Sequence, residues 1–295
     1  MHLLTRPKLV PLLAFLVINS FILLRAADLK PEDVVAKHLD SLGSAQARKN
    51  LKSRVVQGGA TYRVLVGGSG AVDGKFQFAS EAPKSDALFR INANGFLGEQ
   101  FICDGKKTSV AGTYPDKTRS EFGTFILSQD IILRENLFLG VWSTGWPLLD
   151  LEGHKAKVQA EGTKKVDGKD LLVLRYQPKK STDLDIFLYF DPQTYQHVMT
   201  TYAMEPPTDL GRGQVGRGSK VSGEVATARM QPPRYKIEER FSEFRTVDGL
   251  NLPGHYDLRF TFEGERGFTK SIEWEVGALS IDNNMSVDPR AFEVR

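Results

Sequence analysis

The strongest constraint in this sequence is a strict two-residue alternation over 255–277. Tyr256, Leu258, Phe260 and Phe262 alternate with Asp257, Arg259, Thr261 and Glu263. After a turn over 264–267, Ile272, Trp274 and Val276 alternate with Glu273 and Glu275. A period of two sends successive side chains to opposite faces, so the stretch predicts a β-hairpin with one apolar and one wet face. The apolar face carries rings, which makes it too large a patch for a soluble chain to leave bare. Helices, another sheet or a ligand must cover it.

The same signal recurs along the chain. Strands are predicted over 55–66, 71–80, 87–92, 99–103 and 108–114, broken by Gly67-Gly68, Pro83, Asn94-Gly95 and Asp104-Gly105. More follow over 156–160, 171–176, 184–190 and 196–202, with turns at Asp167-Gly168 and Asp191-Pro192. Phe76 shares a face with Phe78, Phe89 with Ile91, and Leu184, Ile186, Leu188 and Phe190 with one another. Tyr235, Ile237, Glu239 and Phe241 begin a further strand, and a phase slip over 241–244 predicts a bulge. Hairpin-sized connections imply antiparallel neighbours.

Helices are expected in two places. Over 28–44, Pro31 and Glu32 open a stripe of Val34, Val35, His38, Leu39 and Leu42, with His38 at its edge and Gly43 as the stop. Over 119–151 the apolar residues are too dense for one wet face, and two short helices are expected around 128–130, ending before Pro147. Burying about a dozen such side chains is worth on the order of 20 kcal/mol before entropy, so this segment is the expected cover for the aromatic face. The fold class is therefore mainly β with α (α+β): one large curved antiparallel sheet forming an unclosed β-barrel, helices covering its concave face. A single domain is expected over 28–295, with a Gly-, Pro- and Arg-containing insertion over 204–233.

Residues 1–27 read as a cleaved secretory signal peptide: Arg6 and Lys8 precede an apolar run over 9–24 that ends in Arg25, Ala26 and Ala27. A retained anchor is the alternative, opposed by Pro11, Asn19 and Ser20 within the run. Cleavage removes Arg6, Lys8 and Arg25 and takes the formal charge from +3 to zero, which leaves no electrostatic case for binding nucleic acid. The single cysteine, Cys103, precludes an internal disulfide, and none follows the signal to carry a lipid.

Motifs for chemistry are weak. Gly211, Gly213 and Gly216 have dinucleotide-site spacing but follow Pro206-Pro207 and open no helix, so they read as a glycine-rich loop. Ser69 lies in a hairpin turn whose sequence misses the nucleophile elbow. His38, His154, His197 and His255 are not spaced as metal ligands, and Cys103 reads as a small buried side chain. No metal, cofactor or catalytic residue is expected.

In its order of parts the chain resembles the periplasmic lipoprotein-carrier superfamily, the Lol-type outer-membrane lipoprotein-sorting proteins. The resemblance rests on the signal, a helix ending Leu39-Asp40-Ser41-Leu42-Gly43, Gly58-Gly59 in the first strand and the mid-chain helices. Phe190-Asp191-Pro192-Gln193-Thr194 and Thr246-Val247-Asp248-Gly249-Leu250-Asn251-Leu252-Pro253 complete it. It implies an unclosed barrel with a helical lid over a cavity for acyl chains, and an arginine that locks the lid, for which Arg54 and Arg63 are the candidates. The chain is longer than the dedicated carriers.

The expectation is thus a monomeric, non-enzymatic periplasmic carrier of lipid or lipoprotein acyl chains. Phe76, Phe78, Phe89, Ile91, Tyr256, Leu258, Phe260, Phe262, Ile272 and Trp274 would line the groove, with Phe138, Trp142 and Trp146 in the lid. The alternative is an envelope assembly or scaffold protein with a permanently plugged barrel and protein partners. A hydrolase acting on envelope lipids would require Ser69 or a histidine.

Overall fold

A computed structural model describes residues 30–93, 96–113, 119–204, 233–264 and 267–294. The predicted signal peptide, the Gly211/Gly213/Gly216 loop and nearly all of the 204–233 insertion lie outside them.

Helix α1 (Pro31–Leu42) buries Val34, Val35, His38 and Leu42, the predicted stripe with Pro31 in its first turn. A second helix, α2 (Ala45–Asn50), follows where the sequence reading ends in a stop: the Ser44 hydroxyl accepts from Ala47 N at 3.1 Å and starts it. Next come β1 (Arg54–Val66), β2 (Gly70–Glu81), β3 (Lys84–Ala93), β4 (Phe96–Cys103) and β5 (Thr108–Gly112).

The central segment holds α3 (Glu121–Ser128), α4 (Ile131–Arg134), 3-10 turns at Gly140–Trp142 and Pro147–Leu149, and α5 (Leu151–His154). The expectation of two helices ending before Pro147 is corrected. A segment apolar on all sides has no periodicity to mark helix limits, and backbone breaks set them instead. Asn136, Leu139 and Gly140 take φ of 53°, 65° and 51°, and Asp150 caps α5 through Gly153 N at 2.9 Å.

The second run of strands is β6 (Lys157–Val166), β7 (Lys169–Gln177), β8 (Asp185–Phe190) and β9 (His197–Met204). Then come β10 (Arg234–Ser242), the small pair β11 (Arg245–Val247) and β12 (Leu250–Leu252), β13 (His255–Glu263) and β14 (Thr269–Asn283). The predicted bulge over 241–244 is also corrected: β10 ends, and β11 and β12 form a side hairpin. Gly254 N donates to Ser242 O at 3.1 Å and Glu243 O at 3.0 Å, returning the chain to where it left. Asp167-Gly168 and Asp248-Gly249 both have two successive positive φ values, as tight hairpin turns require.

Twelve strands form one antiparallel, unclosed sheet in the order β5-β4-β3-β2-β1-β14-β13-β10-β9-β8-β7-β6. The opening hairpin thus lies at the centre, with Leu258 opposite Trp274 and Tyr62 opposite Trp274 on the other side. Strand β1 can lie this close to β14 because Gly58 lacks a Cβ where the Gly277 carbonyl approaches. The two edges, β5 and β6, are consecutive in sequence, and the helical segment is the connection between them. Edge strand β6 carries Lys157, Lys164 and Lys165, charges that discourage pairing with another chain.

Candidate functional site

Nine of the ten predicted groove residues are buried on one face of the sheet, and the helical segment lies against them. Phe76 packs on Phe89 (4.9 Å between ring centroids) and Trp142 (5.8 Å). Trp274 meets Phe122 at 4.8 Å, Phe260 meets Phe122 at 5.5 Å and Phe125 at 5.9 Å, and Tyr256 meets Trp142 at 5.5 Å. Phe262 differs from the expectation: it is only half-buried, beside Tyr235 at 5.1 Å and near the exposed Phe268.

The three predicted lid residues are buried as well. Phe138 sits against Phe101 and Phe122, and Trp142 against Phe76 and Tyr256. Trp146 instead faces a pair of histidines. Cover and sheet interdigitate ring on ring, so in this structure the chain's own side chains fill the concave face.

Two buried charged side chains hold that cover. Arg54, at 1% exposure, donates from Nη1 to Val141 O at 2.7 Å and Trp142 O at 3.2 Å, and from Nε to Asn283 Oδ1 at 2.8 Å. Burial lowers its pKa to about 9, opposed by attraction to Asp248, so it stays charged at neutral pH. Asn283 in turn donates to Asp248 at 3.1 Å. Of the two candidate latches, then, only Arg54 reaches the helical segment; Arg63 lies on the wet face with Glu273 and Glu275.

Glu239, at 0% exposure, holds the same segment two residues earlier. It accepts from Leu139 N at 2.7 Å, Tyr202 OH at 2.7 Å and Tyr256 OH at 2.8 Å. Burial pushes its carboxyl up to about 7, against the pull of those three donors, and both tyrosine hydroxyls are held well above their usual range. The left-handed turn at Leu139 and Gly140 presents that amide, and there is no room for a Cβ on Gly140, which would stand 2.5 Å from the Phe241 ring. A second buried carboxylate, Glu99, accepts from Ser120 N at 2.6 Å and Ser120 Oγ at 2.7 Å at the start of α3; burial raises its pKa.

Sequence reasoning placed Glu239 on a strand without seeing its role. The signal was there: one carboxylate among the inward positions Tyr235, Ile237 and Phe241. His38 also corrects an expectation, since it is fully buried. Its Nδ1 donates to Tyr195 O at 3.1 Å and its Nε2 accepts from Trp146 Nε1 at 3.1 Å, which fixes the neutral form; burial lowers its pKa to about 4. His197 lies 6.2 Å away between Trp146 and Phe241, a juxtaposition of residues 159 positions apart that no local spacing could signal. Cys103 is buried, and burial raises its thiol pKa, an unreactive setting. Ser69 lies in the exposed connection between β1 and β2. Among the described residues, no three or more His, Cys, Asp or Glu side chains gather as metal ligands would.

No family model and no curated protein matches the sequence. Among solved structures, the chain is similar to a DUF1329 family protein from Desulfovibrio piger (12% identity, TM-score 0.45, covering 89% of this chain and 96% of that one). It is similar also to a LolA superfamily protein from Nitrosomonas europaea (12%, TM-score 0.44, 90% and 99%). A third likeness is to a putative outer membrane lipoprotein-sorting protein domain from Vibrio parahaemolyticus (10%, TM-score 0.42, 88% and 97%). At these identities and scores neither ligand nor partner passes from those proteins to this chain.

Proposed function

We propose that this protein is a periplasmic, non-enzymatic carrier that takes acyl chains of lipids or lipoproteins between its concave sheet face and the helical segment, and delivers them toward the outer membrane. The observation that carries the reading is the construction of the cover. It is one connection between the two sheet edges, made of helical pieces no longer than eight residues and held by hydrogen bonds with the buried side chains of Arg54, which donates, and Glu239, which accepts. Such a cover can leave without breaking a strand ladder. An acyl chain of about 14 methylenes would gain on the order of 11 kcal/mol from an apolar face, and the rings it must displace reduce the net value enough to keep binding reversible.

The filled concave face favours a second reading, an envelope scaffold whose helices never leave. Native mass spectrometry of the protein isolated from its envelope fraction, with organic extraction, separates the two. A stoichiometric acylated molecule, or uptake of an added fatty-acyl probe that falls in folded Phe260→Ala and Trp274→Ala variants, supports the carrier. An empty protein that refuses the probe supports the scaffold.

A further inference from the structure

At one margin of the sheet lies a cleft of 490 Å³ whose lining includes Lys155, Lys157, Arg175, Tyr176, Lys179 and Lys180. Several elements bring these cations together. Lys155 ends α5 in a left-handed conformation (φ 53°), Lys157 opens the edge strand opposite Gln177, and Pro178 begins the turn that carries Lys179 and Lys180. Arg175 is paired with Asp185. The lysines that pair with carboxylates are Lys84, Lys236 and Lys270, all elsewhere, and among the described residues none of the four in the cleft does so.

The floor of the cleft is of another kind. Tyr176 and Leu184 are buried members of the main core, so the floor of the cleft backs onto the apolar interior. The nearby carboxylate, Glu135, is occupied by Tyr176 OH at 2.7 Å and His154 Nδ1 at 3.0 Å. A rim of four lysines that form no ion pair among the described residues, over an apolar floor, matches a molecule with an anionic head and an apolar tail.

We propose that this cleft binds the phosphate group of an anionic amphiphile, so that the cargo of the carrier is a phosphate-bearing lipid. The proposal rests on the carrier reading for its tail and on the cleft alone for its head. The lysines supply several point charges around a small volume, which suits a phosphate monoester or diester.

The test compares two probes with the same acyl chain, a lysophosphatidic acid and a monoacylglycerol, with glycerol 3-phosphate as the headgroup alone. Each is titrated into the full-length exported protein and its Lys157→Ser/Lys180→Ser variant at low and high salt. The expected result is about tenfold tighter binding of the phosphate-bearing lipid, lost in the variant and weakened by salt, with monoacylglycerol binding unchanged. Equal binding of the two lipids by the unmodified protein overturns the headgroup site and leaves the carrier standing. A preference that survives in the variant overturns this cleft as its location. If neither lipid binds but glycerol 3-phosphate does, and the variant loses it, the cleft stands as a site for a free phosphate ester and the carrier falls. Binding of none of the three overturns both.

Discussion

Arg54 and Glu239 grip nearly the same turn of the helical cover, and they do so with opposite charge and opposite backbone groups. Arg54, on β1, takes the carbonyls of Val141 and Trp142; Glu239, on β10, takes the amide of Leu139. Both are buried, so both carry a desolvation cost, but it falls differently. A guanidinium brought down to about 9 is still a full charge at neutral pH, whereas a carboxyl pushed up to about 7 is divided between its two forms there. One grip on the cover is therefore fixed around neutrality and the other is adjustable. The surrounding chemistry follows suit: the Arg54 side is backed by Asn283 and Asp248, and the Glu239 side by two tyrosine hydroxyls whose protons stay in place.

The largest effect should come from breaking the fixed grip. Arg54→Ala leaves two buried carbonyls without their charged donor and should lower stability by about 3–4 kcal/mol in urea unfolding. Arg63→Ala, on the wet face, should stay within about 0.5 kcal/mol; comparable losses for the two would mean that Arg54 does not hold the cover.

The adjustable grip should reveal itself in the pH dependence. Because the folded pKa of Glu239 is raised, its contribution to stability is full below about 4.5 and is lost as pH rises through about 7, on the order of 3 kcal/mol across the window. Glu239→Gln should remove that slope, so between pH 4.5 and 8 the stability difference moves in the variant's favour by a similar amount. A constant difference across the range would show that the carboxyl does not titrate there.

His38 should act with the opposite sign. Its folded pKa is lowered, so the stability it contributes is present above about 6.5 and lost as pH falls through about 4. His38→Gln should flatten the acid limb of the stability profile and cost about 2 kcal/mol at pH 7 through the bonds to Tyr195 and Trp146. Among the changes at the cover, the smallest is Gly140→Ala, which should cost about 1–2 kcal/mol from the left-handed backbone and the crowded Phe241 ring. An unchanged unfolding midpoint would mean that the turn presenting Leu139 N is not constrained.

The same contrast explains what could be read from the sequence. The sheet was legible because its faces repeat every two residues and its turns announce themselves, as at Asp167-Gly168 and Asp248-Gly249. The concave rings at Phe76, Phe89, Phe260 and Trp274 were legible for the same reason. The cover was not, because residues apolar on every side leave no phase, and its limits are set by single backbone positions such as Leu139. Nor were the anchors legible as pairs: Arg54 meets a residue 87 positions away and Glu239 one 100 positions away, and no local pattern encodes a meeting of that kind. A lone polar residue on an otherwise apolar face is the only trace that Glu239 leaves.

The pairing of β1 with β14 carries a kinetic consequence. Arg54 lies opposite Asn283, so the middle of the sheet joins segments separated by more than two hundred residues, while every other neighbouring pair is consecutive among the strands of the sheet. The two halves can zip locally, but they cannot close on each other until the last long strand is available. A chain emerging from its N-terminus is thereby held short of its final state until nearly all of it has appeared. That delay leaves the seam between the two halves as the last part of the sheet to set.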